Sequence, residues 1–597
     1  MESQSEQVTG AEDVSWDLSD FYQGVDDPAI DRDLDAADRA ADAMAARYRG
    51  HVAELGAREL GELLQQYESI GEISGRAGSY AFLSWSTDTA DPARGALLQR
   101  ITERTSQLSQ KLVFFELEWA NAPDSAAAAL LADPALTRFR HFLELARRYR
   151  PHLLSEPEEK ILSEKDVTGR AAWSRFFDEV QSAARFEIDG QTLTREQVLS
   201  QLYHADREVR RKAAASITAG LQEGARVSGF VFNTVLADKA AEDRLRHYPA
   251  WLSARNMANE VADATVQALV DAVTSRYDIV ARYYTLKRRL LGLDELFDFD
   301  RYAPLPAADR RYRWDEARTI VLEAYRSFHP RMADTAALFF ERHWIDAPVR
   351  PNKRGGAFSA STVPSVHPYV MLNFEARPRD VTTVAHELGH GVHQYLSRPR
   401  GLLEADTPLT MAETASVFGE MLAFQEMLRS EPDQAARLAL LTAKIEDAFA
   451  TVFRQVAMNR FEDAIHTARR SEGELPIEGF NELWLSTQKA MFGESVTLTP
   501  DYRLWWSYIP HFIHTPGYVY AYAFGQLLVL ALYARYQQAG PAFAEAYLDL
   551  LAAGGSDWPH ELVKPLGVDL TDPAFWHNGL RILEELVAEA ETLAAKV

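Results

Sequence analysis

The sequence predicts a mainly α-helical protein with a small β element, and three observations carry that prediction. Apolar residues recur at intervals of three and four over long stretches, Ala, Leu, Gln, Arg and Glu fill the positions between, and strand-like runs are confined to two short places. At 597 residues the chain exceeds what one compact core usually organises, so two or more lobes, or one large elaborated domain, are expected. Hydrophobic residues at 47%, charged residues at 25% and no low-complexity segment place it among folded globular proteins.

The elements follow in order. "RDLDAADRAADAMAARYRGHVAELG" and "ARGALLQRITERTSQLSQKLVFFELEWA" repeat at helical spacing, and the first 180 residues or so read as helical hairpins. Phe186 to Ile188 and Gln191 to Leu193 flank Asp189-Gly190, a dipeptide suited to a two-residue hairpin turn, and Thr194 with Gln197 forms a capping box. A soft boundary is expected near residue 200, giving an N-terminal helical region over 1–200 and a second region over 201–597. Helices resume to about Trp344. Two short strands, roughly Ala357 to Ser361 and Tyr369 to Phe374, then precede a stretch that reads helical from Val381 nearly to the end.

Composition excludes several function classes. A net charge of −24 repels phosphate backbones and anionic lipid surfaces, so neither nucleic acid nor membrane is an expected partner. The basic run "REVRRK", Arg207 to Lys212, reads as a solvated helix face. With no cysteine there is no disulfide, thiolate ligand or thiol nucleophile. The acidic N-terminus lacks the features of a secretory signal, and "FGQLLVLALYARY" is broken by Gln526 and Arg535, so a cytoplasmic protein is expected.

"VTTVAHELGHGVHQYL", Val381 to Leu396, carries the chemistry. Asp380 is its expected N-cap, and His386 and His390 stand at i and i+4, the spacing at which two imidazoles can hold one metal ion. Glu387 lies next to them, where a carboxylate can accept a proton from metal-bound water; the pattern is HExxH. Gly389 and Gly391 each cost such a helix about 1 kcal/mol relative to alanine, which implies that another element or a substrate strand comes close to the backbone. The third ligand is not a histidine six residues past His390, because Leu396 stands there. Glu413, on a downstream helix that Thr410 can cap, offers a carboxylate instead, or is a solvated helix charge. It shares a face with Ser416 and Glu420, so Glu420 can hold a ligating histidine. His393 reads as a supporting or packing histidine, since a fourth protein ligand would close the site.

"HELGHGVHQ", "AETASVFGE" and "IPHFIHTPGYVYAYAFG", with "WDLSDFY" near the N-terminus, resemble the oligoendopeptidase F family of thimet oligopeptidase-like zinc metallopeptidases over essentially the whole chain. The resemblance implies one zinc ion on His386, His390 and Glu413, with Glu387 as general base. It also implies two helical lobes flanking a deep channel, the 1–200 region forming part of one lobe and channel wall, and the small β element beside the zinc helix. The implied function is endopeptidase cleavage of short peptides by Glu-assisted attack of zinc-bound water, with His511 and a following tyrosine stabilising the oxyanion. Were the segment helical after Pro516, Tyr518 and Tyr522 would share a face while Tyr520 pointed elsewhere; His511, Tyr518 and Tyr522 are therefore the expected donors. "RGGAF", Arg354 to Phe358, is either a strand edge for an extended peptide or a tight turn. Two rivals are a di-iron bundle, which normally needs a second ExxH, and a helical peptide-binding protein without catalysis. Glu precedes a histidine by three only at His390, and Glu387, Glu413 and His511 are all present.

Overall fold

A computed structural model describes residues 8–305 and 310–596, and the chain is mainly helical, as the periodicities predict. It divides into two compact units, each assembled from three stretches. The first comprises Met1–Pro151, Arg310–Ser430 and Arg535–Val568; the second comprises His152–Asp309, Glu431–Ala534 and Asp569–Val597. The regions 1–200 and 201–597 expected from the sequence follow chain order, whereas these units interleave it. Among the described residues no helix is long and apolar enough to cross a membrane.

The first unit opens with packed helices Pro28–Tyr48, Ala57–Thr87 and Pro92–Leu112. Asp27 accepts the Ala29 N–H ahead of Pro28, which satisfies one of the unpaired donors at the helix start. The spacing of three and four becomes one buried stripe, Ile30, Leu34, Ala37, Ala41, Met44 and Tyr48. A three-stranded sheet has the order β3 (Ile345–Pro348), β5 (Tyr369–Phe374), β4 (Phe358–Ala360), with β5 parallel to β3 and antiparallel to β4. The two expected strands lie within one residue of their predicted ends. Strand β3, "IDAP", was not expected: it is four residues long and buried throughout, so it shows no alternation. Arg354 to Gly356 forms a bend rather than a strand edge, because Asn373 Nδ2 donates to the Arg354 and Gly356 carbonyls at 3.0 and 2.8 Å. Both β4 and β5 pack against the helix Pro378–Ser397.

In the second unit, strands β1 (Phe186–Ile188) and β2 (Gln191–Leu193) pair around Asp189 and Gly190, whose φ values of 51° and 79° make the expected two-residue turn. Thr194 and Gln197 exchange the capping-box bonds at 2.9 and 3.3 Å. The basic run does not form a fully solvated face. Arg210 is 3% exposed and, with Arg207, pairs with fully buried Asp300 at 3.0 and 2.6 Å, while Arg211 and Lys212 stay at the surface. This 39-residue helix, Arg207–Leu245, also buries Phe232 against Trp506, Phe480 and Phe512. Phe232→Ala removes the ring at the centre of that cluster and is expected to cost about 3–5 kcal/mol, read as a lowered unfolding midpoint in urea.

Candidate active site

The helix Pro378–Ser397 starts two residues before the expected cap. Pro378 fixes its first turn, and Asp380 Oδ2 reaches back to accept the N–H groups of Arg377 and Glu375 at 2.9 and 2.8 Å. Its histidines His386 and His390 stand one turn apart, ring centroids 5.0 Å from each other. The two glycines have separate reasons. A Cβ on Gly389 would collide with the Ala415 carbonyl and lie 2.6 Å from Ser416 Cα, so this residue admits the backbone of the helix Thr414–Ser430. A Cβ on Gly391 would lie 2.6 Å from Phe339 Cζ. Both close approaches are protein on protein.

That contact carries Glu413 to the histidines. Glu413 sits at the junction between the helices Leu409–Ala412 and Thr414–Ser430; Pro408, not Thr410, precedes the first of these, and Thr410 is fully buried inside it. Glu413 Oε2 lies 3.4 Å from His386 Nε2 and 3.5 Å from His390 Nε2, and the donor atoms of all three residues fall within 4.8 Å of one another. A tetrahedral zinc with arms of about 2.1 Å would have edges of roughly 3.4 Å, which the two distances from Glu413 match, and three protein donors leave one corner open. His386 Nδ1 is 3.1 Å from Glu420 Oε2, which assigns the proton to Nδ1 and turns Nε2 toward Glu413. Ser416 Oγ donates to Glu413 Oε2 at 2.6 Å, and the buried Tyr325 hydroxyl donates to the Ala385 carbonyl.

Burial sets the charges. Glu387 is 7% exposed, and desolvation pushes its carboxyl up to about 7, with Glu413 adding to the rise and His386 and a backbone bond from Ser359 on β4 opposing it. Burial likewise lowers His390 and His393 to about 4. His386 is raised instead: burial works against its charge, but the Glu420 bond and the Glu413 carboxylate outweigh it. His393 is buried and stands outside the three-residue donor cluster.

The other expected site residues belong to the second unit. His511 Nε2 lies 3.2 Å from the Tyr522 hydroxyl, and the rings of Tyr518 and Tyr522 are 5.0 Å apart. Tyr518 precedes the helix Tyr520–Ala539 instead of lying on it, so a shared helical face is not what joins the pair. The chain turns at Gly517, φ +76°, where Glu462 Oε1 accepts the Gly517 N–H at 2.8 Å and a Cβ would meet Leu252 at 2.6 Å. Tyr520 is fully buried, its hydroxyl accepting from Asn259 Nδ2 at 2.9 Å. Sequence reasoning missed Glu462, which reads as one more helix charge. Burial pushes it up to about 8, the Gly517 bond only partly opposing.

The profile of Peptidase family M3 matches residues 200–582, and that of Oligopeptidase F matches residues 118–186. Oligopeptidase PepF of Bacillus subtilis (strain 168) is 28% identical over 608 residues, covering 98% of this chain and 88% of that protein. A crystal structure from Chlamydophila abortus superposes with a TM-score of 0.88 at 24% identity, covering 98% of this chain and all of that one. Oligoendopeptidase-F from Enterococcus faecium superposes with a TM-score of 0.68 at 22% identity over 95% and 98% of the two chains. The two structures share the fold with this chain.

Gly389→Ala is expected to destabilise the first unit by about 1–3 kcal/mol through overpacking and to weaken metal binding, measured by thermal unfolding and chelator competition. Glu420→Gln is expected to weaken metal affinity about 10–100-fold in the same competition, with the fold retained. For Glu462 the native state holds a proton that the unfolded chain has released, so stability falls as pH rises from the ordinary carboxylate range to about 8. Glu462→Gln keeps an acceptor for the Gly517 N–H, and its unfolding midpoint should exceed the parent's by a margin that widens between those limits and levels off above.

Proposed function

Because this chain belongs to peptidase family M3 and is a metalloendopeptidase acting on oligopeptides, we propose that His386, His390 and Glu413 hold one zinc ion and that Glu387 is the general base. The observation that carries this reading is the convergence of three donor atoms, Glu413 Oε2 lying 3.4 and 3.5 Å from the two imidazole nitrogens, with the buried Glu387 carboxyl on the helix of the two histidines. Zinc, when bound, supplies Lewis acidity toward a water and the scissile carbonyl.

Glu387 takes a proton from the attacking water and returns it to the leaving amine. Its burial suits both halves of that exchange, since a carboxyl raised toward neutrality both accepts and releases a proton readily. Glu420 keeps His386 in one tautomer and orientation. We assign His511, Tyr518 and Tyr522 as donors to the oxyanion that forms when the carbonyl is attacked; the 3.2 Å contact between His511 and Tyr522 supports their acting as a pair. Strand β4 is the sheet edge beside the HExxH helix; its Ser359 N–H bonds Glu387 and its Ser359 carbonyl accepts from Gln394 Nε2 at 3.5 Å, so an extended peptide would pair there in exchange for these bonds, with little side-chain preference. No covalent intermediate is needed.

Hydrolysis of an internally quenched peptide of about eight residues tests this reading. Cleavage at an internal bond should be lost on chelation, restored by zinc, and reduced about 10²–10⁴-fold by Glu387→Gln with metal still bound. Tyr522→Phe should lower kcat about 10²–10³-fold with little change in KM. Absence of turnover across diverse peptides by the zinc-loaded protein would instead favour a peptide-binding role.

A further inference from the structure

The second unit contains a cavity of about 160 Å³ that the proposed chemistry does not use, lined among others by Tyr203, Arg301, Tyr302, Phe453, Arg454 and Phe492. Two guanidinium groups face it, and among the described residues neither has a carboxylate as an ion-pair partner. Arg301, 7% exposed, donates from Nε to the Asp298 backbone carbonyl at 3.1 Å and from Nη2 to the Tyr302 and Tyr502 hydroxyls at 2.5 and 2.9 Å, all neutral oxygens. Its Nη1 makes no hydrogen bond among the described residues. Arg454, half-buried beside Arg301, Tyr302 and Tyr508, makes none either.

Two carboxylates also line the cavity, and neither pairs with these arginines among the described residues. Glu446 Oε1 is taken up by the Lys287 ammonium and the Tyr283 hydroxyl, each at 2.6 Å, and Asp447 is exposed. Two cations held side by side, one buried and one half-buried, repel each other, and leaving them uncompensated is costly, so their retention points to an anion supplied from outside. Planar, forked guanidinium groups match a carboxylate best among the anions a peptide carries.

The cavity is tied to the candidate catalytic groups. Burial lowers the pKa of His511, and the Arg454 charge lowers it further, so Arg454 lies within electrostatic reach of that imidazole. Tyr508, three residues before His511, is within the same reach of both arginines. His511 and the cavity thus belong to one neighbourhood of the second unit.

We propose that the Arg301–Arg454 cavity binds the C-terminal carboxylate of the peptide substrate, fixing how many residues extend beyond the cleaved bond. This rests on the peptidase reading above. Every linear peptide carries one such carboxylate, whereas the interior of a long chain brings none, so the cavity favours short substrates without reading their side chains.

Matched quenched peptides ending in a free carboxylate or a primary amide, and an amidated peptide whose last residue is Asp, test this on the zinc-loaded protein. The free acid should exceed the amide at least about tenfold in kcat/KM, mainly through KM, and Arg454→Gln should bring that ratio close to one while Arg454→Lys retains part of it. The ratio is taken within each variant, so partial loss of folded protein cancels. Equal rates for acid and amide would overturn the proposal; preference for the terminal Asp side chain with no preference for the free acid would overturn the terminal assignment. Equilibrium binding of an N-acetylated tripeptide as acid and as amide to the metal-free protein reads the cavity without turnover. Tighter binding of the acid, lost in Arg454→Gln, supports the cavity even if peptidase activity is absent, and equal binding overturns it.

Discussion

The contact between Gly389 and the backbone at Ala415 and Ser416 is the constraint on which the metal centre depends. Because no Cβ stands between them, the HExxH helix and the helix Thr414–Ser430 meet backbone to backbone, and Glu413 at the start of the second reaches both imidazoles of the first. Two turns further along, Glu420 meets the other nitrogen of His386. The same economy recurs at Gly419, where a Cβ would strike the Tyr325 ring, whose hydroxyl is bonded to the carbonyl just before His386. Glycine destabilises each helix locally, and the packing it permits more than offsets that loss.

Around this contact the electrostatics are arranged by burial more than by pairing. Glu387 loses hydration with no cation bonded to it among the described residues, while His386 and His390, similar in sequence context, are driven in opposite directions because only His386 has Glu420 behind it. Three donors and a buried acid crowded together without a balancing charge are the arrangement expected where a divalent ion belongs.

The groups of the second unit rest on a different device. Gly517 turns the chain with a positive φ, Glu462 fastens its N–H from beneath, and Tyr518 and Tyr522 come together although only the latter is on a helix. The sequence expected Tyr518 and Tyr522 to share a helical face; their rings do lie 5.0 Å apart, but a turn, not a helical face, brings them together. Tyr520, the first residue of that helix, is buried instead, its hydroxyl bonded to Asn259.

The sequence by itself determined the helical class, the β1–β2 hairpin and the placing of His386, Glu387 and His390 together on one helix, because each is written in local spacing: 3.6 residues per turn, a two-residue reversal, and imidazoles one turn apart. Only the tertiary structure decided what Gly389 and Gly391 admit, that Arg210 is buried on Asp300 within a run that looks solvated, that "IDAP" is a strand, and that each compact unit draws on three separate stretches. Glu462 and the Arg301–Arg454 cavity belong to the same class. Their roles come from groups far apart in the chain meeting in space, and a contact between distant residues leaves no periodicity in either segment.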